Sequence, residues 1–269
     1  MTTMSGDPVL AVGVRAARRA ASVLMDASRD LRRLPTYSKE HADIVGGANA
    51  DADSAIRATI SAAFPDHAIV GEKSVEGTAR SDSPYRWIID PIDGSANFVH
   101  GFPYYAISIA LTHNGDLTHA AVLDPLHDEL FTAVRGKGAQ VNGAPLRVSA
   151  CMRLEDALVG TVFPTRRSSR LPGYLPVLTT LMGRCGGMRR AGACALDLAH
   201  LAAGRLDGFF VLSLNSWDVA AGALLVKEAG GRVGDLAGGN EFLRSHEVIA
   251  AAPGLFNPLR EAILAARRT

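Results

Sequence analysis

Cysteine is scarce. Only three occur in 269 residues, Cys151, Cys185 and Cys194, an odd number without metal-ligand spacing. That excludes a disulfide framework and argues against structural zinc, so a reducing cytoplasm is the expected compartment. Charge of one sign is also scarce. A formal net charge of +1 excludes a bulk attraction to nucleic acid or to an acidic membrane. The arginine clusters at 15, 18 and 19, at 166, 167 and 170, and at 189 and 190 are small and read as solvated faces. No run approaches the ~18 apolar residues of a membrane span. Arginines interrupt Val9 to Met25 before a secretory apolar region forms. No repeat or low-complexity linker is present.

What remains is an ordinary globular composition, 48% apolar and 20% charged. Its length suits two modest halves or one large unit. Asp7 and Pro8 open a helix expected to run to about Arg33 and to stop before Pro35. Asp43-Ile-Val-Gly-Gly47 reads as a short strand or loop, and Asp53 to Phe64 as a helix. Ala68 to Glu72 is a strand that leaves Glu72 at its end. Strands are expected over 104–113, 117–123 and 129–134, with a hairpin turning at Asn142-Gly143, as in an antiparallel meander. Beyond Cys151 helix and strand alternate. Helices are expected over 176–184, 193–203, 219–229 and 258–267, and strands over 208–212 and 248–251. Residues 1–150 thus form an α+β half and residues 151–269 an α/β half, sharing one continuous core.

The chemistry concentrates in Trp87-Ile-Ile-Asp-Pro-Ile-Asp-Gly-Ser-Ala-Asn-Phe98. A short buried strand, ending where Pro91 leaves the ladder, delivers Asp90 and Asp93. Gly94 permits a tight turn, and Ser95 opens a helix with free amides. Carboxylates that hold hard cations, beside N–H groups that hold an anion, suit a metal-bound phosphate. An ordinary surface turn has the same dipeptides. A second acidic centre, Asp218 in Ser216-Trp-Asp-Val-Ala-Ala-Gly222, lies just before a helix of small residues; alone it reads rather as an N-cap. Glu72 alone reads as an exposed glutamate.

Together Gly71-Glu72, Asp90-Pro-Ile-Asp-Gly-Ser-Ala-Asn-Phe98, Arg190-Ala-Gly-Ala-Cys-Ala-Leu-Asp197 with Gly204-Arg-Leu-Asp-Gly208, and Trp217-Asp-Val-Ala-Ala-Gly222 before Glu228-Ala-Gly-Gly231 resemble the inositol monophosphatase family over nearly the whole chain. The resemblance implies a layered α-β-α-β-α sandwich of the sugar phosphatase type and a homodimer. It implies two to three Mg²⁺ ions. Glu72, Asp90 and the Ile92 carbonyl would hold one, and Asp90, Asp93 and Asp218 a second. A third would lean on Glu72 through water. The amides of Gly94 and Ser95 would take phosphate oxygens. Ser95, where the family usually has threonine, would help position water for direct attack on a small phosphomonoester. Some bacterial members act with transcription antitermination factors, which leaves a regulatory partner open as an alternative.

The chain departs from the family at the positions that activate water and read substrate. By the resemblance, Asn49 stands where a water-activating aspartate is usual, and an amide is a poor proton acceptor. Neighbouring Asp51 and Asp53 are expected at a helix start, facing solvent. Lys73 replaces a second glutamate. Val211 replaces a glutamate that binds substrate hydroxyls, which turns specificity away from inositol 1-phosphate. Gly192 and Cys194 fall in the loop that elsewhere touches the sugar; Cys194 itself reads as a small buried residue.

Overall fold

The fold is described by a computed structural model for residues 6–31, 33–36, 38–72, 82–164 and 169–268. Helix α1 (Pro8–Leu31) starts where Asp7 Oδ1 accepts the N–H groups of Val9 and Leu10, both at 3.1 Å. Its alanine face, Ala16, Ala17 and Ala20, is buried against helix α2 (Lys39–Ala63).

That second helix is longer than the sequence reading allows. Ser38 caps it by accepting the His41 N–H at 3.1 Å, so Asp43-Ile-Val-Gly-Gly47 is helical, neither strand nor loop. A buried stripe at His41, Ala48, Ala52, Ile56 and Ile60 outweighs the low helix propensity of two adjacent glycines. Asp51 does face solvent; Asp53 is buried instead.

Strands β1 (Ala68–Gly71), β2 (Tyr85–Asp93), β3 (Ala106–His113), β4 (Asp116–Asp124), β5 (Glu129–Val134), β6 (Gly138–Val141) and β7 (Ala144–Pro145) form one sheet in chain order. Only the β1–β2 pair is parallel; the rest is the expected meander. Between β2 and β3 lies the short helix α3 (Ser95–His100).

The second sheet has the order β11-β12-β10-β8-β9, from β8 (Leu158–Thr161), β9 (Gly187–Arg189), β10 (Gly208–Val211), β11 (Arg232–Gly234) and β12 (Val248–Ala251). Strands β8, β9 and β11 were not foreseen; each has three or four residues, too few for a period to show. Helices α4 (Leu171–Met182), α5 (Cys194–Ala202), α6 (Ser216–Glu228), α7 (Phe242–Ser245) and α8 (Phe256–Ala266) complete the chain. Helix α4 starts ahead of the expected 176–184, with Pro172 in its first turn, where a missing N–H breaks no helical bond.

Side-chain alternation sorts the strands into layers. From β2 and β3, Trp87, Ile89, Ile107 and Ile109 face α1 and α2. Ile88, Ala106 and Ala110 face the other way, onto α5 and α6. From β10 and β12, Phe209, Val211, Val248 and Ala250 enter that same middle core, while Phe210, Ile249 and Ala251 pack outward on α4 and α8. The result is α-β-α-β-α, with a middle core built from both halves of the chain.

Candidate metal centre

The two aspartates of β2 are three residues apart, so plain alternation would put them on opposite faces. The strand solves this with a bulge. Asp90 pairs with Ser108 and Asp93 with Ala106, so three steps on β2 match two on β3. The extra residue restores a common side for both carboxylates. Pro91 therefore does not end the strand, as the sequence suggests. It sits in the bulge, which continues to Asp93 and is a place where a missing N–H is tolerated. Asp90 Oδ1 accepts the Ile92 N–H at 3.0 Å and fixes the bulge from within.

Asp93 is held from across the molecule. Its Oδ1 accepts the Cys194 N–H at 3.0 Å and its Oδ2 the Ala195 N–H at 2.7 Å. These are orphan donors of the first turn of α5. The N-cap residue there, Ala193, has no side chain that could cap them. A helix start lacking its own capping side chain was the one sequence signal for this remote cap, and the sequence reading missed it.

Asp218 is the third residue of α6, not the residue before it. Its Oδ2 accepts the Asn215 N–H at 2.8 Å, which orients the carboxylate at the helix start. One oxygen each from Asp90, Asp93 and Asp218 lie within 4.8 Å of one another. No basic side chain among the described residues forms an ion pair with any of them. Burial, then the neighbouring Asp218 charge, pushes Asp90 up to about 8, although the Ile92 N–H pulls the other way. Asp93 is driven well up by burial and then by Asp90. Asp218 is raised to about 6, chiefly by burial. Two buried carboxyls and one half-buried, which resist ionising together, fit a hard cation, whose charge would let them do so.

Glu72 follows β1 directly and is exposed. The parallel register sets Gly71 beside Ile89, so Glu72 lies at the same strand end as Asp90. Its charge is among those that raise Asp90 and Asp218. It lies outside the tight group of three. Ser95, exposed, begins α3 after Gly94, whose φ of +90° disfavours any side chain. A Cβ there would also meet the Tyr104 carbonyl and Ala193 Cβ, each at 3.0 Å. Asn49 lies on α2 with its Oδ1 buried and unpartnered.

Of the substrate-reading positions, Gly192 has φ +98° and its Cβ position faces the Asn97 amide at 3.0 Å. Asn97 Nδ2 ties the surrounding segments together, donating to the Tyr104 carbonyl at 2.6 Å and the Ala191 carbonyl at 2.8 Å. Cys194 is buried, and burial pushes its thiol far above the usual range, which removes it as a nucleophile. Val211 is buried at the end of β10. Lys73 lies outside the described residues. The Tyr104 hydroxyl donates to the buried Asp197 Oδ1 at 2.7 Å, a partly buried pair that the sequence reading did not single out.

The sequence model of the inositol monophosphatase family matches residues 5–268. This chain belongs to the inositol monophosphatase family. Among members of the family, it is 44% identical over 260 residues to the Nus factor SuhB of Pseudomonas aeruginosa, spanning 95% of this chain and 96% of that one. The crystal structure of extragenic suppressor protein suhB from Bartonella henselae superposes with a TM-score of 0.85 at 39% identity, over 95% of this chain and 99% of that one. An inositol monophosphatase from Anabaena superposes at 0.84 with 31% identity, over 95% of each chain. The layered sandwich is thus the fold of this family. Among the described residues no helix is long and apolar enough to cross a membrane.

Proposed function

We propose that this chain is a magnesium-dependent phosphomonoesterase acting on a small phosphorylated metabolite such as an inositol-phosphate-like ester, a sugar phosphate or histidinol phosphate. The observation that carries the reading is the convergence of Asp90, Asp93 and Asp218 within 4.8 Å on a family phosphatase scaffold. Glu72, Asp90 and the Ile92 carbonyl would hold one magnesium, and Asp90, Asp93 and Asp218 another. When bound, magnesium supplies positive charge to the phosphate and leaving oxygen and acidifies water. The Gly94 and Ser95 N–H groups would grip phosphate oxygens, and the Ser95 hydroxyl would orient the attacking water. The new phosphorus–oxygen bond forms as the ester bond breaks opposite it, and the proton that the attacking water gives up balances the one the leaving alkoxide takes. Cys194 has no place in the scheme as a nucleophile, since its thiol is buried and kept protonated.

Val211 supplies no acceptor for substrate hydroxyls, so a substrate other than inositol 1-phosphate is favoured. The experiment is magnesium-dependent phosphate release from inositol 1-phosphate, histidinol phosphate, fructose bisphosphate and adenosine 3′,5′-bisphosphate. Turnover of one ester, abolished in Asp90→Asn, supports the reading and names the substrate. Absence of turnover in both the parent and Asn49→Asp refutes it.

A second reading is favoured by Asn49, a weak proton acceptor in the water-activating position, together with the Nus factor relative. In it the chain hydrolyses slowly and acts mainly as a protein-binding regulator of transcription antitermination and ribosomal RNA synthesis. Retention of purified RNA polymerase or antitermination factors on the immobilised chain tests it; no retention argues against it.

A further inference from the structure

Three buried side-chain atoms among the described residues have no hydrogen-bond partner, and two of them, Asn49 Oδ1 and Asp53 Oδ1, are one helical turn apart on α2. Residues at this spacing face each other, with Cβ atoms about 5–6 Å apart. Both atoms are acceptors, and a buried acceptor without a donor costs about 1–3 kcal/mol. Asp53 is 8% exposed and has committed its other oxygen, Oδ2, to the Arg57 Nε at 2.6 Å. Its Oδ1 therefore points at a neighbour still to be supplied. A half-turn of the Asn49 amide supplies it, exchanging the buried carbonyl oxygen for an N–H donor.

The position of this pair gives that half-turn a consequence. Arg57 also donates to the Ile69 carbonyl at 3.3 Å, which sets Arg57 level with the middle of β1. Four residues back along the helix is about 6 Å, the span of two strand residues. Asp53 thus comes level with Gly71, and Asn49 level with the strand end that carries Glu72 and Asp90. Ala48 and Ala52 pack in one cluster with Ile92 and Phe98, which brings the same stretch of α2 over the metal motif.

We infer that Asp53 is a positioning residue: it takes the Asn49 N–H on its free oxygen and so turns the Asn49 carbonyl toward the Ser95 hydroxyl. Asn49 then serves as a hydrogen-bond acceptor in the site without ever receiving a proton. This role rests on the phosphatase reading; the Asn49–Asp53 contact itself does not.

The test exchanges the two residues. Asn49→Asp alone sets two buried carboxylates against each other, and Asp53→Asn alone loses the Arg57 pairing and the charged acceptor. The double variant Asn49→Asp/Asp53→Asn restores one amide donor facing one carboxylate. Each single variant is expected to lower Tm in chelator, and the double variant to lose clearly less than the sum of the two, the Asn49–Asp53 part being recovered while the Arg57 pairing stays lost. Losses that simply add would overturn the contact.

Kinetics then separate positioning from mere structure. With a substrate turned over by the parent, Asp53→Asn is expected to lower kcat at least tenfold at unchanged KM, measured well below its Tm. The double variant regains that loss. An unchanged kcat in folded Asp53→Asn would overturn the positioning role. Absence of phosphate release from all four proteins would sink the phosphatase reading and the role with it, while the Tm comparison still decides the contact.

Discussion

Asp93 Oδ2 accepts the Ala195 N–H at 2.7 Å, a bond that ties the metal motif of the first sheet to the helix start of the second half. With the Cys194 N–H on Oδ1, it makes Asp93 both a remote helix cap and a member of the carboxylate group. Asp90 differs, since among the described residues its carboxylate accepts only the local Ile92 N–H.

Opposite stability effects follow for two conservative changes. In chelator, Asp90→Asn keeps an acceptor for Ile92 and removes one of three crowded acids, so Tm rises. Asp93→Asn turns an amide N–H against a buried backbone N–H, so Tm falls, by about 1–3 kcal/mol of stability. At this size that is roughly 2–4 °C per kcal/mol. Differential scanning calorimetry of the two variants checks the contrast.

Magnesium should stabilise the chain more as pH rises. Without metal, Asp90 holds its proton up to about pH 8. Below that, a cation must displace protons before binding, and linkage weakens its effect. The Tm increment from magnesium is expected to be larger near pH 8.5 than near pH 6, and to be small at both in Asp90→Asn. Thermal scans at fixed free magnesium measure it.

Asp197 carries a separate pH signature. Burial lifts it to about 7 from an ordinary 3.8, with the Tyr104 hydroxyl and Arg190 opposing. Between those values the folded chain keeps a proton that the unfolded chain has lost. Stability therefore falls as pH rises through this window, by up to about 1.4 kcal/mol per pH unit. Asp197→Asn removes this contribution. Its stability relative to the parent should climb from pH 4 to 7 and level off above, in urea titrations at constant magnesium.

Gly222 sets how closely α6 approaches α5. A Cβ at that position would lie 2.4 Å from Leu198 Cβ. Gly222→Ala should cost about 1–3 kcal/mol by overpacking. Asp218 is one turn upstream on the same helix, so magnesium affinity should weaken too, which a calorimetric titration reads.

The layers and most carboxylates were legible because they rest on strong local signals. The Asn142-Gly143 turn is real, with φ of +48° and +83°, and β5 and β12 fall where alternation and apolar runs place them. The small residues of α6 do serve close packing. What could not be read depends on partners distant in sequence. The bulge that brings Asp90 and Asp93 to one side is set by β3, and Pro91 alone suggests a strand end. The segment 43–47 is helical because a buried stripe runs through α2, against its two glycines. Asp53 is buried where local pattern points it at solvent, and its partner Arg57 reaches across to the Ile69 carbonyl of β1. The capping by Asp93 needs the start of α5, 101 residues further on.

The most direct measurement of the central claim is phosphate release from the best ester of the panel, with magnesium present, chelated and restored, in the parent and in Asp90→Asn. The account predicts release by the parent that stops on chelation, resumes when magnesium returns, and is absent from Asp90→Asn. Release that continues through chelation, or that Asp90→Asn retains, would contradict it.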